Sequence, residues 1–337
     1  NDISADENLL QQSESQISDL HVSKFVGKIE RDWWLSSFSA LSRNLRHGGV
    51  STPDRDSVEL FESNLRNYSN DQKALRFQLA KGAHSGNLLH DILEHNNFKS
   101  SNDVDNNMLE SIKWPLIKYG DLAAGFTETD LVAWLDEIVN TPLSLNKQDA
   151  DNFCLADIPK QKALRESEFY FPMESANVAT LEKLLTDHRN VNSKNANKGY
   201  HTKFSAVRLP SYKYLKGMMH GFIDLVFEQN GKFYVCDYKS SHLGESFGDY
   251  KHEALRQNIE KNYYDLQYLI YSLALHRHLK QNLTDYDVQQ HFGGIYYLYL
   301  RGMRSGISHG VTDDEFHQGT GVYYRSITPN ELTQLDD

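Results

Sequence analysis

Cysteine is nearly absent: Cys154 and Cys236 are the only two in 337 residues. Two thiols exclude a disulfide framework, a four-thiolate iron–sulfur cluster and a cysteine-rich zinc site, and they suit a reducing, cytoplasmic setting. No stretch approaches the roughly 18 uninterrupted apolar residues of a membrane span, so no membrane partner is expected. No Gly-x-x-x-x-Gly-Lys-Ser/Thr loop occurs, because Gly27-Lys28 continues into Ile29 and Gly231-Lys232 into Phe233. The chain therefore carries no ATP-driven motor of its own. Asn1 to Ser18 is acidic and polar, without the apolar run of a signal peptide. With Asn1 in place of Met and a solvated, linker-like start, the chain is expected to be a piece of a longer protein. No internal repeat is visible.

Positive charge is also scarce. Lys and Arg number 35 against 46 Asp and Glu, a formal charge of −11, whereas a protein that grips phosphates normally presents a basic face. The deficit is unevenly spread. From Ser211 to Arg304 eleven basic residues meet ten acidic ones, and a bound metal ion would add charge that no residue count includes. A nucleic-acid substrate is weakened by composition, not excluded.

What is present begins with Asp32 to Leu41, aromatic enough through Trp33, Trp34 and Phe38 to dock on a core. Gly48 to Asp56 reads as a loop. Apolar spacing predicts a helix from Ser85, its expected N-cap, with Leu88, Leu89, Ile92 and Leu93 on one side. Further helices are expected over 106–118, 128–139 and 178–188, a strand over 163–172, and a polar loop over 190–199. From Gly217 the pattern changes to two β-prone runs separated by Asn230-Gly231, the strongest short-range hairpin signal. A helix over 262–280 and a buried strand over 292–300 follow. Helices first, then strand, hairpin, helix and strand, indicate one α/β domain with a helical N-terminal portion.

The hairpin places chemistry. With Asn230-Gly231 as a two-residue turn, Gln229 faces Lys232 and Asp224 falls opposite Asp237. Lys239 then shares the face of Asp237, while Ile223, Leu225, Phe227, Tyr234, Cys236 and Tyr238 are expected on the other. Directly opposed like charges repel, and burial makes this worse unless a cation lies between them. Oxygen ligands suit a divalent cation, and a lysine one pleat away can stabilise phosphate charge or orient a water. The alternative is a pair of surface acids with Lys239 as their ion-pair partner.

An Asp, a spacer and then Asp-x-Lys resembles the PD-(D/E)xK nuclease superfamily, and longer runs resemble the C-terminal nuclease domains of RecB-type proteins. The matching stretches are Gly-Phe-Ile-Asp-Leu-Val-Phe (221–227), Asp-Tyr-Lys-Ser (237–240) with Leu-Gly (243–244), Tyr-Asp-Leu-Gln-Tyr (264–268), Leu-Ala-Leu-His-Arg (273–277), His-Phe-Gly-Gly (291–294) and Leu-Arg-Gly (300–302). Upstream the likeness rests on Ser-Gly-Asn-Leu-Leu-His (85–90), Glu-Phe-Tyr-Phe-Pro (168–172) and Ser36 to Leu41. The resemblance implies an α/β restriction-endonuclease-like core, a central mixed sheet flanked by helices. It implies a linker from a preceding helicase region over 1–30 and a nuclease domain over 31–337, with a helical portion over about 31–150 and a catalytic core over about 160–305. Metal ligation is implied for His90, Asp224, Asp237 and the backbone carbonyl of Tyr238, catalysis for Lys239, a Gln-x-x-x-Tyr helix motif at Gln267 and Tyr271, and an acidic strand position at Glu168. The implied cation is Mg²⁺, with Mn²⁺ or Ca²⁺ able to take its place. The implied activity is an exodeoxyribonuclease V type hydrolysis that leaves 5′-phosphate and 3′-hydroxyl ends. Single-stranded DNA would be the substrate, RecC-like and RecD-like subunits and the recombinase RecA the partners, double-strand-break repair the setting and a bacterial cytoplasm the location.

Several residues keep a plainer alternative. A lone helical His such as His90 is usually not a ligand, and imidazole is an unusual partner for Mg²⁺. Gln267 and Tyr271 lie four apart on one helix face; they could contact DNA, support Lys239 or simply pack. Arg301 could meet phosphate or form a surface ion pair. The aromatic runs 263–271 and 296–299 could stack bases but at this spacing are more often core. His220, His242, His252, His276, His278 and His291 match no zinc spacing. The rival functions are a non-catalytic module that docks recombinase or partner subunits, and a stand-alone nuclease of the same superfamily.

Overall fold

The computed structural model describes residues 34–38, 74–98, 108–120, 122–143, 153–195, 207, 214–305 and 320–336, all in the compact unit Trp34–Asp337. The expected linker over 1–30 and the loop at Gly48 to Asp56 lie outside the described residues. Along the chain come β1 (Trp34–Ser36), α1 (Leu75–Gln78), α2 (Ala83–His95), α3 (Met108–Tyr119), α4 (Glu128–Val139), β2 (Ala163–Asn177), α5 (Val178–Asn195) and β3 (Tyr214–Gln229). They are followed by β4 (Lys232–Lys239), α6 (His252–Asn262), α7 (Tyr264–Asn282), α8 (Val288–His291), β5 (Phe292–Tyr299), β6 (Val322–Arg325) and α9 (Pro329–Asp336). The sheet is mixed. Its order is β1-β3-β4-β5-β6 with β2 also paired to β3; β4 and β5 run parallel, as do β1 and β3, and the other pairs are antiparallel. The α/β architecture with a helical N-terminal portion is thus the observed one.

The local reasons are visible. Asn230 and Gly231 both adopt positive φ, 52° and 79°, as a type I′ turn requires, and only small or amide side chains take that shape cheaply. Helix α4 starts at a capping box in which Thr127 and Asp130 exchange side-chain and backbone bonds, satisfying N–H groups that the first turn leaves open. Helix α2 begins after Gly82 (φ 108°), and Ser85 is buried inside its first turn instead of capping it. Helix α5 continues through Asn195, so the first part of the expected polar loop is helical. The predicted helix 262–280 is α7, and it is preceded by α6, whose chain turns at Tyr263 in the left-handed region (φ 56°).

Two apolar layers cover the sheet. Alternate strand residues Val226, Val235, Ile295 and Tyr297 join a cluster with Leu266, Leu269 and Ile270 of α7. Leu225, Phe227, Cys236, Tyr296 and Leu298 join a second with Leu89, Ile92 and Leu93 of α2 and Leu131 and Trp134 of α4. Helix α7 is buried on nearly all sides, as a central helix between sheet and outer elements must be.

One face assignment is corrected. Ile223 packs with the α7 cluster although Leu225 and Phe227 pack on the opposite layer, so β3 changes face at Asp224. The facing strand explains it. The rungs Arg165–Leu225 and Ser167–Ile223 flank Glu166, and Glu166 has φ 46°, a backbone turn that a regular strand does not contain. The 224/166 rung is therefore absent from the ladder.

Candidate metal centre and active site

The hairpin pairs from Gln229–Lys232 to Leu225–Cys236, the register expected from the turn. The ladder stops one rung before Asp224 and Asp237. Asp224 Oδ2 takes the next backbone donor itself, accepting from Tyr238 N at 2.7 Å. Its other oxygen lies 3.4 Å from His90 Nδ1, delivered by α2. His90, Glu166 and Asp224 can each offer one ligand atom, and these three atoms lie within 4.8 Å of one another. Glu166 was missed from sequence. Its signal is an acid two residues before Glu168, but only the local backbone turn at Glu166 (φ 46°) decides which of the two turns inward.

Glu168 stands elsewhere: it accepts from Tyr170 Oη at 2.7 Å and lies 3.0 Å from His220 Nε2, with its side chain 47 % exposed. It is outside the His90–Glu166–Asp224 group.

Asp237 is buried, and its Oδ2 lies 2.7 Å from Lys239 Nζ. The contact lacks hydrogen-bond geometry, so that oxygen is buried without a hydrogen-bond partner among the described residues. Burial, working against the Lys239 charge and aided by repulsion from Asp224, pushes the Asp237 carboxyl up to about 7. Burial acts on Asp224 too, but there the charge and bond of His90, the Tyr238 N–H and Lys239 outweigh it and hold the carboxyl below the usual range. Two neighbouring acids thus have opposite protonation tendencies, a pattern typical of functional sites.

Lys239 is held from three sides. Its Nζ donates to Gln267 Oε1 at 3.2 Å and sits 3.9 Å over the Tyr264 ring and 5.1 Å from that of Tyr297. Gln267 Oε1 also accepts from Tyr297 Oη at 2.8 Å, while its Nε2 donates to Tyr271 Oη at 2.9 Å. Of the three roles open to Gln267 and Tyr271, the structure favours support of Lys239, since both are buried. Burial, with nearby Asp237 and Asp224, drives the Tyr271 hydroxyl far above its ordinary value.

Arg301 is buried and does not face solvent. At 1 % exposure it donates to the carbonyls of Ser240, Arg76, Leu79 and Ala80, tying the end of β4 to α1. The runs 264–271 and 296–299 are core. Among the described residues the other group able to hold an ion is Asp91–Glu94–His95, where Asp91 already pairs with Lys118 at 2.8 Å; none of the six histidines weighed for zinc takes part.

The donor set fits a divalent cation. Two carboxylates and an imidazole converge, a third carboxylate close by keeps an oxygen without a hydrogen bond among the described residues, and repulsion between acids drawn partly out of water is relieved by a positive ion.

The fold and this site define a class, the metal-dependent nucleases built on an Asp…Asp-x-Lys hairpin. A sequence profile of the PD-(D/E)XK nuclease superfamily matches residues 63–326, and the chain belongs to that superfamily. RecBCD enzyme subunit RecB of Haemophilus influenzae is similar to it, 31% identical over 334 residues that cover 94% of this chain and 24% of the relative. The Escherichia coli K12 subunit of the same name is 28% identical over 329 residues, 96% of this chain and 25% of the relative. That of Mycobacterium tuberculosis H37Rv is 27% identical over 300 residues, 84% and 27% respectively. The chain spans about a quarter of the length of these curated relatives. Among the described residues no helix is long and apolar enough to cross a membrane.

Proposed function

We propose that this chain hydrolyses DNA phosphodiester bonds at the His90, Glu166, Asp224, Asp237 and Lys239 constellation, with Mg²⁺ as its cation. The observation that carries the reading is the convergence of His90, Glu166 and the half-buried Asp224, with the buried Asp237 and its Lys239 partner on the adjoining strand. Asp224, Asp237 and His90 would hold the cation, joined by Glu166 and, as the family resemblance suggests, the Tyr238 carbonyl. When bound, the cation supplies Lewis acidity toward the phosphate and lowers the pKa of a water. The chain's own part is positional. Asp237 holds Lys239, Gln267 and the two rings aim its ammonium, and that charge stabilises the pentavalent phosphate as it forms. Tyr271 keeps the Gln267 amide from rotating.

The extended match to RecB subunits supports a place in a RecBCD-type helicase–nuclease, with RecC-like and RecD-like partners, a single-stranded substrate and a role in double-strand-break repair. Delivery of RecA onto the cut strand is a further proposal that rests on resemblance. The test is degradation of end-labelled single-stranded DNA with Mg²⁺, with a chelator, and by Asp237→Ala. The expected result is cleavage that stops with the chelator and in the variant. Equal cleavage by parent and variant would remove the site assignment; no cleavage by either with any divalent cation would favour the docking role.

A further inference from the structure

Beyond the ligand cluster, the β2–β3 ladder carries large rings that face solvent. Tyr170 is 54% exposed and Phe222 45%. They belong to successive rungs, Tyr170 opposite His220 and Glu168 opposite Phe222, and the next position along is Glu166 and Asp224. Met219 and Ile223 pack under α7, so His220 and Phe222 point to the opposite face, the one from which His90 reaches Asp224. The Tyr170 and His220 rings stack at 4.3 Å with 11° between planes, and His220 meets Phe222 edge-on at 5.2 Å. Glu168 fixes the first pair by accepting from Tyr170 Oη at 2.7 Å, with His220 Nε2 at 3.0 Å.

We infer that this stripe is a stacking platform for the bases of a single strand of DNA whose backbone enters the metal centre. The inference rests on the proposed nuclease activity. Rings exposed on a sheet surface bind unpaired bases through their faces, without regard to sequence, whereas bases inside a duplex stack cannot reach them. Same-face rungs repeat about every 7 Å, which puts Phe222 about 7 Å and the His220–Tyr170 pair about 14 Å from Asp224 along the strand. That is within a few nucleotides of the bond to be cut. The carboxylate of Glu168 repels phosphates from the stripe and leaves bases as the part of the strand that meets it. It also interrupts the apolar surface, which suits a protein partner less well.

The experiment measures binding of a fluorescein-labelled 20-nucleotide oligothymidine and of a blunt duplex by anisotropy in chelator, and then cleavage kinetics with Mg²⁺. Phe222→Ala and Tyr170→Ala are each expected to weaken single-strand binding about tenfold and to raise KM in proportion, with kcat within twofold. Phe222→Trp and Tyr170→Phe keep a ring and are expected to keep affinity; matching melting temperatures establish that all variants fold. Parental affinity in both alanine variants, or equal loss in the ring-preserving ones, overturns the platform. So does unchanged DNA binding with lost capture of RecC-like or RecD-like subunits, which would assign the stripe to a protein. Should the parent bind the oligonucleotide through these rings yet hydrolyse nothing, the nuclease reading fails and the platform stands.

Discussion

Replacing Gln267 by Met keeps its volume and removes its amide, and so separates packing from hydrogen bonding. In the parent, Oε1 accepts from Lys239 at 3.2 Å and Tyr297 at 2.8 Å, and Nε2 donates to Tyr271 at 2.9 Å. Tyr297 has a second acceptor in the Tyr264 carbonyl at 3.2 Å, so its loss is partly made good. The Tyr271 hydroxyl and the Lys239 ammonium lose a buried partner each, at about 1–3 kcal/mol apiece. A destabilisation of about 2–6 kcal/mol follows, which lowers the melting temperature by roughly 3–9 °C in a chain of this size. Lys239 keeps Asp237 and the rings but loses its aim, and misplacement of a catalytic group by an ångström costs on the order of 100-fold. We expect kcat to fall by about ten- to hundredfold with KM little changed, measured by single-strand cleavage beside thermal unfolding. Tyr271→Phe removes one bond and should cost about 1 kcal/mol. Parental kcat and melting temperature in Gln267→Met would refute the aiming role and return the pair to packing.

Other outcomes follow from the same contacts. Arg301→Met leaves four carbonyls, three of them in buried bonds, without their shared donor and should destabilise by roughly 3–5 kcal/mol, read by denaturant unfolding. Glu166→Gln keeps shape but removes charge from the ligand cluster, so the cation concentration for half-maximal cleavage should rise at least about tenfold. Burial alone would raise the Glu331 carboxyl, but the bond to His188 and the Thr328 N–H take it down from 4.5 to about 2. Because the folded value lies below the unfolded one, its stabilisation is complete above pH 4.5 and is lost as pH falls toward 2. The stability gap between parent and Glu331→Gln should therefore be constant near neutrality and close over that window, in acid titrations of unfolding.

Local signals in the sequence carry the centre of the fold. Asn230-Gly231 imposes positive φ on both residues, and that alone sets the register as far as Leu225–Cys236, one rung short of Asp224 and Asp237. The spacing of Gln267 and Tyr271 likewise announced a shared helix face. What was hidden depends on contacts between distant segments. Whether Glu166 or Glu168 joins the cluster turns on one residue of positive φ, Glu166, opposite Asp224, and the change of face at Asp224 has the same origin. Arg301 looked like a surface cation because a sequence does not show that four carbonyls converge on it. Ser85 looked like a cap because Gly82, which starts α2 by its backbone alone, leaves no side-chain signature. The break between α6 and α7 falls on Tyr263, a residue that rarely adopts the left-handed region, so propensity gave no warning.

The direct test is a titration with Mn²⁺ followed by electron paramagnetic resonance, which counts bound cation without requiring turnover. If the acids that converge with His90 exist in this chain to hold a divalent ion, the parent binds Mn²⁺ and Asp224→Asn loses at least about tenfold in affinity, with Mg²⁺ competing for the site. Identical Mn²⁺ binding in the two proteins would contradict the account.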